Sequence, residues 1–381
     1  MSAFLYLDHN ATTPVLPEVL DAMLPWLAGH PGNPSSAHPA GEEARDALEA
    51  ARYELALLAG AEPREILFTS GGTESTNAAI HAALAARPGR RVVVTSRVEH
   101  SATLEPLGAL ERADLGVVRI GVDGQGRLDP DALRAAIDPS VALVTLQTAN
   151  NETGALSALA GVAEAVHAAG ALLHVDAVQS LGKVPLDLAR LGADYASLSA
   201  HKLHGPKGAG ALFVRAGAPF EPLLVGGPQE RGRRAGTENL PGIVGFGRAA
   251  ALARAALADG SLERVRDLRD RFEAGLTREF PDLAIQARGG PRLPNTANVA
   301  FAGVDAEELL AALGAAGLCA SAGSACHAAA RRPSHVLAAM GLSDARLRGA
   351  VRFSLGRTTS ADEVERAVEL VAECASALRA L

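Results

Sequence analysis

Seven short aliphatic and β-branched runs mark out the first two-thirds of the chain. They are EILFTS (65–70), RVVVTS (91–96), GVVRIG (116–121), VALVTL (141–146), ALLHVD (171–176), DYASLS (194–199) and GALFVR (210–215). Each is too short for a helix and rich in residues that suit a pleated surface, so each is expected to be a strand. Between several of them, apolar residues recur at helical spacing, at 73–86, 101–112, 130–137 and 156–169. Strands alternating with helices predict an α/β fold with a mostly parallel sheet. After about residue 255 the text changes. The charged pattern SLERVRDLRDRFEAGLTREF (261–280) opens what reads as a smaller α+β unit that runs to the end. No internal repeat, low-complexity linker or heptad pattern interrupts this.

In open parallel sheets ligands bind beyond the carboxyl ends of the strands. The chemically unusual text sits there. GGTES follows the first run, RVEHS the second, QTANNETG the fourth, AVQS the fifth and AHKLHGPKG the sixth. Five loops are thus expected on one rim.

Composition narrows the class. The 381 residues are 48% hydrophobic and 21% charged, as a globular protein with a substantial core requires. A net charge of −7 gives no reason to expect nucleic acid or an anionic membrane as partner. No apolar run approaches a membrane span and no basic-then-apolar leader opens the sequence, so a cytoplasmic protein is expected. Three cysteines, Cys319, Cys326 and Cys374, do not make a disulfide framework, and no Cys/His spacing suggests a metal site.

Of 36 basic residues only three are lysines: Lys183, Lys202 and Lys207. An amine can lose its proton and form a Schiff base, whereas a guanidinium cannot, so a scarce lysine is a candidate for that work. Lys202 directly follows a strand, among Ser199, His201 and His204. Lys207 lies in a Pro/Gly turn, and Lys183, in LGKVPLD, reads as a solvated loop residue. In SGGTES, Thr73 is a candidate N-cap and the adjoining backbone N–H groups suit either a plain helix start or a phosphate. Asp176, at the end of an apolar strand, is either a helix cap or the partner of a cation. His100 ends a strand on the same rim and is structural or catalytic. Cys326 stands in SAGSACHAAARRP (321–333) among residues too small to pack a core around it. It is a small buried residue or a reactive thiol on a loop.

An amine, a carboxylate for a ring nitrogen and a phosphate cradle together point to pyridoxal 5′-phosphate. YLDHNATTP (6–14), GNPSSAH (32–38), FTSGGTES (68–75), ANNETG (149–154), HVDAVQ (174–179), SAHKLHGPKG (199–208), RRAGTEN (233–239) and SAGSAC (321–326) resemble, in order, the signature blocks of cysteine desulfurases of the NifS/IscS type. The resemblance covers nearly the whole chain. It implies pyridoxal phosphate fold type I. The large domain (15–255) would hold a mostly parallel seven-stranded sheet, and the smaller α+β domain (1–14 and 256–381) the catalytic cysteine loop.

The resemblance also implies roles. Lys202 carries the cofactor as a Schiff base, and Asp176 keeps its ring nitrogen protonated. Gln179 and Asn151 lie near the ring hydroxyl, and His100 stacks over the ring and shuttles protons. Gly72, Thr73, Ser199 and His201 hold the phosphate, with Thr237 reaching it from the other subunit of a homodimer. Asn151 and Arg352 bind the substrate L-cysteine, Arg352 at its carboxylate. Cys326 takes the sulfur as a persulfide, leaving alanine, and passes it to an acceptor such as an iron–sulfur scaffold protein.

The text after the cysteine, CHAAARRPSHVL, departs from the hydroxyl-bearing and acidic pattern of many members: His327, Arg331 and Arg332 stand there. A histidine after the cysteine also resembles selenocysteine lyases, which is the alternative activity. A non-catalytic sulfur-carrier scaffold is the alternative of another class, and a plain aminotransferase needs no such cysteine.

Overall fold

The computed structural model describes residues 4–322 and 333–380. Thirteen strands are defined among these: β1 (Leu5–Tyr6), β2 (Ile66–Thr69), β3 (Val92–Ser96), β4 (Gly116–Ile120), β5 (Val141–Gln147), β6 (Leu172–Asp176), β7 (Tyr195–Ser199), β8 (Gly210–Val214), β9 (Ala284–Ile285), β10 (Thr296–Ala300), β11 (Leu318–Cys319), β12 (Ser321–Ala322) and β13 (Ala350–Ser354). The seven strands β2 to β8 are the seven apolar runs of the sequence. They form one sheet in the order β2-β8-β7-β6-β5-β3-β4. All are parallel except β8, which is antiparallel to both β2 and β7.

Strand periodicity sorts this sheet's side chains between two cores. Ile66, Phe68, Leu173, Val175, Ala211 and Phe213 join the helices Pro39–Ala59 and Leu240–Ala258 on one face. Leu67, Leu172, Tyr195 and Leu212 join helix Gly72–Ala86 on the other. With both faces covered, β5 to β8 are buried along their whole length, which is why they read as unbroken apolar runs. Each such Leu, Val or Phe contributes about 1.5–3 kcal/mol by leaving water. Leu240–Ala258 is, among the described residues, the one helix long and apolar enough to cross a membrane, and 56% of that window is buried inside the protein.

A third core collects Leu7, Phe272, Phe301, Leu309, Phe353 and Val371. It lies between a four-stranded sheet, β12-β13-β10-β9, and the helices Ser261–Glu279, Ala306–Ala315 and Ala361–Arg379. The N-terminal strand β1 pairs with β11 beside it. The chain then crosses to the large sheet: Asn10 N–H donates to Ser354 Oγ at 2.9 Å and Thr13 N–H to the His201 carbonyl at 3.0 Å.

Two local expectations are corrected. The helix expected over 156–169 spans only Val162–Ala168, because Gly161 takes a left-handed conformation and Leu156 bridges to Ala149 instead. Thr73 is not the cap of its helix, which begins one residue earlier at Gly72 with Gly71 as cap.

Candidate active site

The five loops do meet. They enclose a cavity of about 240 Å³ at the carboxyl ends of the parallel strands. Gly72 and Thr73 reach it from the β2 loop, His100 from β3 and Asn151 from β5. Asp176, Gln179, Ser199, His201 and Lys202 come from β6 and β7. Ala11, from the N-terminal crossing segment, completes the wall.

Lys202 ends the one-turn helix Ala200–Lys202 that follows β7. Its Nζ donates to the carbonyls of Asn10 and Ala11, both at 2.7 Å. Asp176 is buried at the end of β6, and its Oδ1 accepts from the Val178 N–H at 2.9 Å. Burial pushes its carboxyl pKa up, while the charges of His100 and Lys202 pull it back down. His100 caps helix Ser101–Glu111: its Nδ1 accepts from Ala102 N–H at 3.1 Å, which leaves Nε2 as the protonated nitrogen. His201 is held down to about 4, by burial first and then by Lys202, Lys207 and Lys183. Its ring is therefore neutral at physiological pH, with Nδ1 3.1 Å from Thr12 Oγ1.

The loop after β5 is shaped by Asn150, whose Oδ1 accepts from the N–H groups of Glu152 and Thr153, both at 2.9 Å. It closes on Gly154 (φ +76°), where an added Cβ would sit 2.8 Å from Thr296 Cβ. This aims the Asn151 carbonyl at both Asn10 Nδ2 and Arg352 Nη1, each 3.1 Å away. Arg352 is buried in β13 and ion-paired with Asp8 at 2.6 Å. Thr237 is exposed and does not line the cavity of its own chain. Cys326 lies outside the described residues, as do His327, Arg331 and Arg332.

Three residues that sequence reasoning missed or misread belong to this site. Asn10 is a hub: besides the contacts above, its Oδ1 accepts from Lys183 at 3.2 Å and from Asn295 at 3.0 Å. Its place in the YLDHNATTP block was the available signal. Lys183, expected to be solvated, is buried instead, because the turn after β6 folds its stem inward onto Asn10 and Gln179. Glu99 is buried behind His100, and burial raises its carboxyl pKa to about 8, with a smaller push from Asp176.

The donor set fits pyridoxal phosphate. An amine and a buried carboxylate whose Oδ1, among the described residues, meets a backbone N–H face one cavity. The N-terminus of the helix starting at Gly72 adds unpaired N–H groups and a favourable dipole for a phosphate, beside the hydroxyls of Thr73 and Ser199.

Comparison with known proteins agrees with this chemistry. The Aminotransferase class-V family matches residues 5–367. A protein of Cereibacter sphaeroides named cysteine desulfurase is 52% identical over 379 residues, covering 99% of this chain and 97% of its own. Among solved structures, one titled NIFS-like protein superposes with a TM-score of 0.91 at 36% identity, covering 98% of this chain and 99% of its own. Another, SspA in complex with cysteine, has a TM-score of 0.81 at 34% identity, covering 93% and 99%. The chain belongs to the aminotransferase class-V family, on a fold type I architecture. Within that class its likeness is to the cysteine desulfurases.

Proposed function

We propose that this class-V enzyme is a pyridoxal phosphate-dependent cysteine desulfurase, converting L-cysteine to L-alanine and delivering the sulfur to Cys326. The observation that carries the proposal is the convergence of Lys202, Asp176 and His100 on one cavity beside a helix N-terminus. When bound, the cofactor supplies an electron sink for the pair left at the substrate Cα. Lys202 holds the cofactor and moves the Cα proton through Nζ. Asp176 supplies the negative charge that keeps a ring nitrogen protonated. His100, with its tautomer set by Ala102, would help hold the cofactor ring and move a proton at Nε2. Gly72, Thr73, Ser199 and His201 would hold the phosphate, and Gln179 and Asn151 would hold the ring oxygen.

Arg352 offers a forked cation to the substrate carboxylate. The Cys326 thiolate attacks the substrate sulfur; the S–S bond forms as the Cβ–S bond breaks. Cβ then takes up a proton and Lys202 returns one to Cα, which gives alanine, and Cys326 is left as a persulfide.

The protein works as a homodimer in this reading, with Thr237 completing the partner's phosphate site. Leu20, Leu24 and Leu27 on helix Pro17–Ala28, together with Leu223, Leu224 and Val225, are exposed apolar residues that support such an interface. The separate cores support a cofactor-binding unit of residues 15–255 and a smaller unit of 1–14 and 256–381. A sulfur-acceptor protein, for instance an iron–sulfur scaffold, and a reducing cytoplasm complete the proposal.

The test is alanine formation from L-cysteine by the yellow protein with a reductant, beside Cys326→Ala, with L-selenocysteine run in parallel. Alanine from wild type, and a variant that keeps its colour but stalls on cysteine, is the expected result. Turnover of selenocysteine alone would reassign the enzyme as a selenocysteine lyase. Binding of a sulfur acceptor with no alanine from either substrate would make it a carrier scaffold.

A further inference from the structure

Lys183 takes no part in the chemistry above, yet the fold buries it beside the residues that do. It is only 9% exposed, in the turn after β6. Its Nζ donates to Gln179 Oε1 at 2.7 Å and to Asn10 Oδ1 at 3.2 Å. Both partners are neutral amide oxygens. The titratable and charged groups around it are Lys202, Arg352, His9, His201 and His204. Burial, followed by the charges of Lys202 and Arg352, lowers its pKa well below the usual lysine value. Charged or neutral, the amine has N–H donors enough for the two acceptors it meets.

The consequence falls on Gln179. A glutamine amide can present either its oxygen or its nitrogen, and its surroundings decide which. Here Nε2 donates to the Asn10 carbonyl at 3.0 Å, the same carbonyl that accepts from Lys202 Nζ at 2.7 Å. Reversing the amide would set its oxygen against that carbonyl and its NH2 against the Lys183 donors. Lys183 does not line the 240 Å³ cavity; it borders a smaller cavity of about 30 Å³, and Lys202 borders both. Oε1 is therefore drawn away from the cofactor cavity, and the second N–H of Nε2 is the donor the amide has left.

We infer that Lys183 is a positioning residue: it orients the Gln179 amide so that its nitrogen, rather than its oxygen, is the end offered to the bound cofactor. This rests on the reading of the cavity as a pyridoxal phosphate site. A donor to the cofactor's ring oxygen stabilises negative charge there, and so lowers the pH at which the bound cofactor gives up its proton. Losing that donor raises the midpoint.

The experiment is a pH titration of the visible absorbance band of the holoenzyme in wild type, Lys183→Met, Gln179→Leu and the double variant. We expect Lys183→Met to raise the midpoint by about one pH unit, as loss of one hydrogen bond to a charged group does. Gln179→Leu should shift it equally, with nothing further in the double variant. A wild-type midpoint in Lys183→Met beside a shifted Gln179→Leu would overturn the inference, as would independent shifts that add. A merely structural role would lower the melting temperature without moving the midpoint, and so counts against it. If Met at this position blocks folding, Lys183→Ala, which also removes the donor, decides: an upward shift supports the inference and a wild-type midpoint overturns it. Absence of any visible band in wild type supplied with pyridoxal phosphate would overturn the cofactor reading, and this inference with it. A normal band that ignores Lys183 sinks the inference alone.

Discussion

Replacing Glu99 by Gln should remove a pH-dependent loss of stability that the wild-type protein suffers in mild alkali. Glu99 is 1% exposed, in the turn between β3 and the helix capped by His100. Its Oε1 accepts from Ser96 Oγ at 2.5 Å, and Oε2 has no partner among the described residues. Burial raises its pKa from 4.5 to about 8; the Ser96 and Gln147 hydrogen bonds oppose this and the charge of Asp176 adds to it. The folded protein thus holds this proton to higher pH than the unfolded chain does. It binds more protons throughout that window, so stability falls as pH rises from 4.5 to about 8.

For these two values, linkage gives a loss of about 2–3 kcal/mol between pH 6 and 9, of which about 1 kcal/mol falls between pH 7 and 9. Glutamine keeps the acceptor for Ser96 and cannot ionise. Any fixed cost of its unpaired NH2 is the same at every pH and cancels in the difference. Urea denaturation of cofactor-free wild type and Glu99→Gln at about pH 6, 7 and 9 measures the effect. The wild type should lose about 2–3 kcal/mol more than the variant over that range. Parallel losses in the two proteins would show that Glu99 is already ionised when folded, and the burial argument would be refuted.

Two further outcomes follow from buried charges elsewhere. Glu230 is held in a left-handed conformation (φ 48°) and pairs its two oxygens with the buried Arg52 at 2.8 and 2.9 Å, Oε2 also accepting from Phe68 N–H. Glu230→Gln leaves the guanidinium with the more exposed Glu49, 3.2 Å from Arg52 Nε, as its remaining carboxylate and should cost up to about 3 kcal/mol in denaturant unfolding; a loss under about 1 kcal/mol would mean that Glu49 alone compensates the charge. Arg352→Met should raise KM for L-cysteine about tenfold or more while the cofactor's absorbance band stays in place, and an unchanged KM would remove Arg352 from substrate binding.

Some of this protein is written locally. The strands are visible because a sheet largely covered on both faces demands short runs that are mostly apolar, β4 at the edge being the partly exposed one, and each run is bounded by Gly, Pro or polar text. The rim loops are visible because a parallel sheet places its strand ends together. Lys202 stood out because so few lysines occur, and Asp176 because a carboxylate ending an apolar strand needs a reason.

Other features exist only in three dimensions. Nothing in LGKVPLD shows that Lys183 is buried, since its partners are Asn10, 173 positions away, and an amide in the preceding turn. The hub role of Asn10 depends on Asn295 and Thr296, which β10 brings alongside the N-terminal crossing segment. Thr73 lost its expected place as cap because Ser70 N–H is taken by Glu74 at 2.8 Å, which lets the helix begin a residue earlier. Arg352 meets Asp8 only because the bridge between Asp8 and Ser354 lays the first segment along β13. Periodicity and turn chemistry are properties of neighbours in sequence, so a single chain displays them. Desolvation and long-range hydrogen bonds are properties of neighbours in space, and the tertiary structure alone decides them.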